Sequence, residues 1–237
     1  MSEQTVLITG VGRRIGLHVA TTLLQRGVHV IGTYRTERHA LDALRQHGAE
    51  LVQCDFTDNS AIAALASQIL ARHECLRAVL HNASEWHPDD AGDGPAAVMQ
   101  QMMQVHVSAP YQLNLLLRPL LEAYQHGHAD IVHIGDYVST RGSRKHIAYA
   151  ASKAAQDNLS CSFAALLAPK VKVNSIAPAL VLFNDGDDAA YRAKAIDKSL
   201  MQREAGLDEF MRTLDYILES EYVTGRVLAL DGGRHLR

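Results

Sequence analysis

Residues 5–16 read T-V-L-I-T-G-V-G-R-R-I-G, and the fold of the chain depends on this stretch. The apolar run at residues 5–8 predicts a buried strand, and apolar residues at helical spacing from Ile15 onward predict a helix. Glycines in the turn between them let backbone N–H groups approach a pyrophosphate at the helix N-terminus, where the helix dipole favours an anion. Such a turn can also be a plain connection, but its place between strand and helix favours phosphate binding.

The same alternation of short apolar runs and longer amphipathic runs continues along the chain. It predicts a single-domain Rossmann-type α/β fold over residues 1–237, with a doubly wound parallel sheet of about seven strands and helices on both faces. Ligands of such sheets bind at the carboxyl ends of the strands. The predicted strands are residues 5–8, 28–33, 50–54, 78–81, 131–134, 172–176 and 227–230, and the predicted helices are residues 15–26, 40–47, 59–72, 97–120, 148–167 and 208–220.

Composition narrows the possible functions. The 237 residues are 47% hydrophobic and 21% charged, and the net charge is −3. This charge gives no general attraction to nucleic acid or to an anionic membrane surface, so we expect neither as a partner. Cys54, Cys75 and Cys161 are scattered without C-x-x-C spacing, which predicts reduced thiols, no metal site and a cytoplasmic protein. No targeting segment or membrane-spanning run is expected.

A second informative stretch, residues 136–153, reads D-Y-V-S-T-R-G-S-R-K-H-I-A-Y-A-A-S-K. Tyr149 and Lys153 are four residues apart, so on a helix they lie on the same face. An ammonium close to a phenol favours the phenolate and lowers its pKa from about 10. A phenol adjusted in this way can act as a general acid or base. The same spacing also arises by chance on helix surfaces, so neighbouring motifs are needed to decide whether these two residues are catalytic.

Those motifs resemble the short-chain dehydrogenase/reductase family from about residue 6 to the C-terminus. They are Thr9-Gly10, the stretch H-N-A-S at residues 81–84, and Tyr149-x-x-x-Lys153. In that family a serine usually stands thirteen residues before the tyrosine, whereas this chain has Asp136. An ionised carboxylate cannot donate a hydrogen bond to a carbonyl oxygen. Aspartate at this position resembles the pteridine reductases of the family, and its charge suits a substrate that becomes cationic at an imine nitrogen.

The second predicted strand ends in G-T-Y-R-T at residues 32–36, without an acid that would bind the ribose of NAD. An arginine there accommodates the 2′-phosphate of NADP, so NADPH is the predicted cofactor. Arg35 can alternatively be a solvated surface residue. The predicted cofactor-binding residues, several from the resemblance alone, are Gly10, Arg13, Arg14, Ile15, Gly16, Tyr34, Arg35, Thr36, Asp55, Phe56, Asn82, Ala83, Ser84, Tyr149, Lys153, Pro178 and Leu180.

Trp86 follows the H-N-A-S stretch by two residues, at the position of an aromatic side chain that stacks on pterin in pteridine reductases. A flat heteroaromatic ring gains dispersion from such a wall, although a lone tryptophan can also fill a core. By the same resemblance, residues of about 180–205 form a lid over the substrate. The predicted substrate-binding residues are Arg14, Ser84, Trp86, Asp136, Tyr149 and Leu182.

The resemblance is closest to bacterial pteridine reductases that reduce dihydromonapterin and, more weakly, dihydrofolate. It implies a homotetramer in which Tyr149, Lys153 and Asp136 are catalytic. Two alternatives stay open: a ketone reductase with an incidental aspartate, and an NADPH-binding sensor without turnover. His106 stands where the family usually has an asparagine, and it can extend a proton path or be a buried structural histidine. Arg237 can reach a neighbouring subunit in family tetramers.

Overall fold

The computed structural model describes residues 4–92 and 94–237. It contains a seven-stranded sheet in the order β3-β2-β1-β4-β5-β6-β7, and all strand pairs are parallel. The predicted fold class is therefore confirmed. The strands are β1 (Thr5–Ile8), β2 (His29–Tyr34), β3 (Glu50–Gln53), β4 (Ala78–His81), β5 (Ala129–Ile134), β6 (Val171–Pro178) and β7 (Val227–Leu230).

Helices cover both faces of this sheet, because consecutive strand residues point to opposite sides. Leu7 packs into a cluster with Ile62, Leu113 and Phe163, whereas Val6 and Ile8 pack into a second cluster with Val19, Leu41 and Phe210. Within the described ranges, no helix has the length and apolar character needed to span a membrane. The helices are α1 (Arg14–Gln25), α2 (Ala40–Gln46), α3 (Asn59–Arg72), α4 (Pro95–Met103), α5 (Ala109–Glu122), α6 (Ile147–Leu167), α7 (Ala189–Ile196) and α8 (Leu207–Glu219).

The strand order reverses direction at β1, which lies between β2 and β4. Chain connections leave in opposite directions at such a point, so a crevice forms at the carboxyl ends of the two strands. The glycine turn follows β1 and the H-N-A-S stretch follows β4, and Thr9 N–H donates to the Leu80 carbonyl at 2.9 Å. The topology thus brings both motifs to one edge of the sheet.

One predicted helix, residues 97–120, is interrupted in the structure. A π-helical turn, Gln104–Ser108, separates α4 from α5, and Ala109 N–H donates to the Gln104 carbonyl five residues earlier. Pro110 has no N–H for the carbonyl of His106, which an α-helix requires at this position. This missing donor gives a physical reason for the wider turn, which sequence periodicity did not reveal.

A second difference concerns residues of about 180–205, predicted as a substrate-binding loop or lid, for which no helix was predicted. They contain α7, which begins after Asp188, whose carboxylate accepts a hydrogen bond from Tyr191 N–H at 2.7 Å. An aspartate before an alanine-rich run is a helix N-cap signal, so this helix was detectable in the sequence. The closing motion of the segment stays a prediction.

Candidate active site

A cavity of about 590 Å³ lies at the carboxyl ends of the strands. All of the predicted cofactor- and substrate-binding residues line it except Gly16 and Leu180. Gly16 lies behind the glycine turn, where an added Cβ would be 2.2 Å from the Gly10 carbonyl oxygen. The Leu180 carbonyl instead accepts from Ala205 N–H at 2.9 Å. These two residues are not part of the cavity lining, and their contact with the cofactor stays a prediction.

The glycine turn is held against the end of β4 by polar contacts. The Asn82 amide donates to the Thr9 carbonyl at 3.0 Å and to the Gly10 carbonyl at 2.8 Å. Gly10 has a φ of +76°, and a Cβ there would lie 3.0 Å from the Ala83 Cα. A side chain at Gly10 would thus strain the turn and push it away from β4. The turn and the strand end form one rigid wall of the cavity.

Arg14 occupies a position where the family usually has glycine, and its φ of +54° lies in the left-handed region. Residues other than glycine rarely adopt this backbone conformation, because their Cβ atom crowds the backbone. Its guanidinium donates to the Leu182 carbonyl at 3.1 Å and to the Asn184 side-chain oxygen. These contacts connect the glycine turn to the beginning of the predicted lid.

Arg35 lies at the end of β2 and forms an ion pair with Glu85 across the cavity lining. Glu85 also accepts from the Gln101 amide. The Arg35 side chain is 55% exposed, so its charge is accessible to a ligand. Glu85 was not among the predicted site residues, although it directly follows the H-N-A-S stretch, which is itself predicted to line the site. A phosphate that binds Arg35 has to compete with this carboxylate.

At the other end of the cavity, Tyr149 and Asp136 form a hydrogen-bonded pair. The Tyr149 hydroxyl donates to Asp136 Oδ2 at 2.9 Å, and Asp136 Oδ1 accepts from Val138 N–H at 3.0 Å. Asp136 follows β5 and caps a 3₁₀ turn, Tyr137–Thr140, whereas Tyr149 lies in the first turn of α6. Burial raises the pKa of Asp136, and burial together with this carboxylate raises the pKa of Tyr149 well above its usual value.

The chain is similar in sequence to known reductases. Residues 10–235 match the sequence profile of a family described as enoyl-(acyl carrier protein) reductase. The chain is 52% identical over 240 residues to a dihydromonapterin reductase from Klebsiella pneumoniae, with 100% of both chains covered. The chain belongs to the short-chain dehydrogenase/reductase family. The predicted resemblance is thereby confirmed.

Two further members of the family illustrate the range of the similarity. A dihydromonapterin reductase from Escherichia coli is 52% identical over 232 residues, which cover 98% of this chain and 97% of that protein. The solved structure of FolM alternative dihydrofolate reductase 1 from Brucella suis in complex with NADP is 29% identical, with a TM-score of 0.87. That similarity covers 100% of this chain and 97% of the Brucella chain.

Lys153 of this short-chain dehydrogenase/reductase is buried one helical turn after Tyr149. Its ammonium donates to the Ile134 carbonyl at 2.7 Å and to the Gln156 side-chain oxygen at 3.2 Å. Burial lowers the pKa of Lys153 to about 8. We expected Lys153 to lower the pKa of Tyr149, but burial and the adjacent Asp136 raise it instead. The phenol is therefore neutral, and it keeps a proton that it donates to Asp136.

Trp86 lies at the rim of the cavity rather than in a core. Its indole is 62% exposed and stacks on the His146 ring, with 3.9 Å between the ring centroids. The His146 Nδ1 lies 2.9 Å from the His87 carbonyl oxygen, which it reaches as a donor. The stacked pair gives the cavity an aromatic wall with one end fixed to the neighbouring loop.

Three possible metal ligands, His29, Glu50 and His73, lie close together on the side of the sheet where β2 and β3 begin, away from the cavity. Glu50 already accepts from Arg72 at 3.0 Å, and its other oxygen lies 3.0 Å from His73 Nε2. The guanidinium neutralises the carboxylate that a cation would need. The predicted absence of a metal site stays a prediction.

Proposed function

We propose that this protein catalyses the NADPH-dependent reduction of 7,8-dihydromonapterin to tetrahydromonapterin and, more weakly, of dihydrofolate to tetrahydrofolate. The observation that carries the proposal is the Tyr149–Asp136 pair in the cavity, where the family usually has tyrosine and serine. The 52% identity to proteins named dihydromonapterin reductase supports the same activity. The solved Brucella dihydrofolate reductase bound to NADP supports the weaker activity and the cofactor.

The residues at the glycine-turn end fit NADPH. The glycine turn exposes backbone N–H groups beside the N-terminus of α1, and Arg13, Arg35 and Arg38 add positive charge along the lining. Backbone donors and cations of this kind bind phosphates. When bound, NADPH supplies the hydride for the C=N bond. Lys153 is suitably placed near the cavity to bind a ribose hydroxyl.

Tyr149 and Asp136 supply the polar chemistry at the substrate end. Asp136 can stabilise positive charge that develops at the imine nitrogen, because a carboxylate in a partly buried site interacts strongly with a nearby cation. Tyr149 holds a proton at its phenolic oxygen, hydrogen-bonded to Asp136 Oδ2. A carbonyl substrate would instead need a donor at the position of Asp136.

The test is an assay of NADPH oxidation with dihydromonapterin, dihydrofolate and a panel of small ketones, with heat-inactivated protein as the control. We expect the highest kcat/KM with dihydromonapterin and a lower value with dihydrofolate. Faster turnover of ketones would identify a ketone reductase. Binding of NADPH without oxidation by any of these substrates would identify a non-catalytic sensor.

We further propose that the chain is a single domain that assembles as a homotetramer in the cytoplasm and that residues 180–205 close over the substrate. The exposed side chains of Tyr111, Leu115 and Leu116 form an apolar stripe on α5, and Leu166 adds an exposed apolar side chain on α6. Such a surface favours association. Light scattering should give four times the chain mass of 26.0 kDa, and a monomeric mass would reject the assembly.

A further inference from the structure

His106 lies in the π-helical turn between α4 and α5, and its imidazole is fully buried. Its Nδ1 lies 2.8 Å from the Ser152 hydroxyl and its Nε2 lies 2.9 Å from the Ser84 hydroxyl. Ser84 lines the cavity, and Ser152 lies on α6 between Tyr149 and Lys153. The imidazole therefore bridges the catalytic helix and a cavity residue. π-Helical turns frequently occur at functional sites.

The direction of each hydrogen bond follows from the partners at the two ends. The Ser152 hydroxyl donates to the Tyr149 carbonyl at 2.7 Å, and a carbonyl can only accept. The hydroxyl proton of Ser152 is therefore already donated to the Tyr149 carbonyl. The Ser152 oxygen can only accept from His106, which requires a hydrogen on Nδ1. At the other end, Glu85 N–H donates to Nε2 at 3.3 Å, which requires a free lone pair there. His106 is accordingly the neutral tautomer with its proton on Nδ1.

This tautomer determines the orientation of the Ser84 hydroxyl. Because Nε2 carries no proton, the 2.9 Å contact forms only if the Ser84 hydroxyl donates. Two other acceptors compete for this proton: the Glu85 carbonyl, which is more distant at 3.4 Å, and the phenolic oxygen of Tyr149. Burial, with a smaller contribution from Lys153, keeps the pKa of His106 well below its usual value, so the imidazole stays neutral at physiological pH. Ser84 then has only oxygen lone pairs left for a ligand.

We propose that His106 is a positioning residue that holds the Ser84 hydroxyl as a hydrogen-bond acceptor, and that Ser84 thereby binds an N–H group of the dihydropterin ring. The proposal rests on the proposed function, and it adds a second basis for selectivity beside Asp136. A dihydropterin carries several N–H donors that match acceptors. A ketone oxygen needs a donor, which Ser84 cannot supply while its proton is bound to His106.

Two substitutions of His106 separate its two contacts. The amide of asparagine reaches about the position of Nδ1, so His106→Asn can keep the Ser152 contact but removes the acceptor for Ser84. The longer glutamine reaches about the position of Nε2, so His106→Gln can restore that acceptor. We expect His106→Asn to raise the KM for dihydromonapterin about fivefold, since a neutral hydrogen bond contributes about 1 kcal/mol, with little change in kcat.

His106→Gln should bring this KM back toward the wild-type value. Ser84→Ala should raise the KM at least as much as His106→Asn, and the double variant should be no worse than Ser84→Ala alone. The Tm of each variant and, for the His106 variants, the Kd of NADPH serve as controls for folding. An unchanged KM in folded His106→Asn, or additive effects in the double variant, would overturn the proposal. Loss of dihydromonapterin turnover in the wild-type protein would instead reject the proposed function.

A measurement on the wild-type protein covers the case in which His106 variants do not fold. Nitrogen-15 NMR of histidine-labelled protein reports which ring nitrogen carries the proton. We expect the buried His106 ring to show a protonated Nδ1 and a bare Nε2 from pH 6 to pH 9. A protonated Nε2, or a charged ring within this range, would contradict the proposed direction of the Ser84 hydrogen bond.

Discussion

At the glycine-turn end of the cavity the charged side chains include Arg13, Arg35 and Arg38, whereas at the α6 end the polar groups include the acceptors Asp136 and Ser84. The first end suits phosphates, and the second suits a ring with N–H groups. A ligand that binds in the reverse direction would place its phosphates against a carboxylate. The two ends thus differ in the polar groups that they present, so separate substitutions can change cofactor selectivity and substrate selectivity.

The largest effect is expected from Tyr149→Phe at the α6 end. Removal of the hydroxyl takes away the proton shared with Asp136. General acid–base catalysis contributes about 10²–10⁴-fold, so we expect kcat to fall by at least about two orders of magnitude. Steady-state kinetics with dihydromonapterin measures this loss, and the Tm of the variant is the control for folding. Near-normal turnover would show that water supplies the proton and that the α6 end of the cavity contributes no general acid.

Arg35→Ala tests the cationic end. A hydrogen bond to a charged group contributes about 1.5–3 kcal/mol, so we expect the Kd of NADPH to rise about 10-fold to 100-fold. The Kd of NADH should change little, because NADH has no 2′-phosphate. Arg212→Ala is a matched control, since Arg212 is an exposed arginine of α8 that pairs with Glu209 outside the cavity. Equal losses for NADPH and NADH would reject the 2′-phosphate role.

A pH profile tests the charge of Lys153 beside the acceptor end. Its pKa of about 8 means that the ammonium is present below this pH and is lost as the pH rises through it. We expect kcat/KM to fall roughly tenfold from pH 7.5 to pH 9 if the cation is needed. The profile is to be measured with saturating NADPH. A flat profile up to pH 10 would mean that the charge of Lys153 does not contribute in this range.

Trp86→Ala is expected to have the smallest effect. Stacking on an aromatic ring contributes about 0.5–1.5 kcal/mol, so the KM for dihydromonapterin should rise roughly twofold to tenfold. The Kd of NADPH should be unchanged, because the indole lies at the substrate end beside His146. His146→Ala should give a smaller increase in KM. Weaker NADPH binding with an unchanged KM would place the indole on the cofactor side.

Local patterns were sufficient to predict most of the fold and the cavity. The alternation of short apolar and longer amphipathic runs along the chain predicted the parallel sheet, and the resemblance to short-chain dehydrogenases/reductases implied that Asp136 lies beside Tyr149. The π-helical turn lies directly before Pro110, which lacks an N–H, and the contact between Arg35 and Glu85 joins residues 50 positions apart. The raised pKa of Tyr149 reflects burial, which only the folded chain defines. Effects that arise from tertiary packing were therefore not predicted.

The most direct test of the central claim is the substrate preference of Asp136→Asn. Asparagine keeps the size of the side chain and an oxygen that can accept from Tyr149, but it has no charge and adds a donor. We predict that the ratio of kcat/KM for dihydromonapterin to kcat/KM for a small ketone falls at least about tenfold, because a charge-assisted contact of about 1.5–3 kcal/mol is lost. An unchanged ratio in a folded variant would show that the carboxylate does not select C=N over C=O bonds.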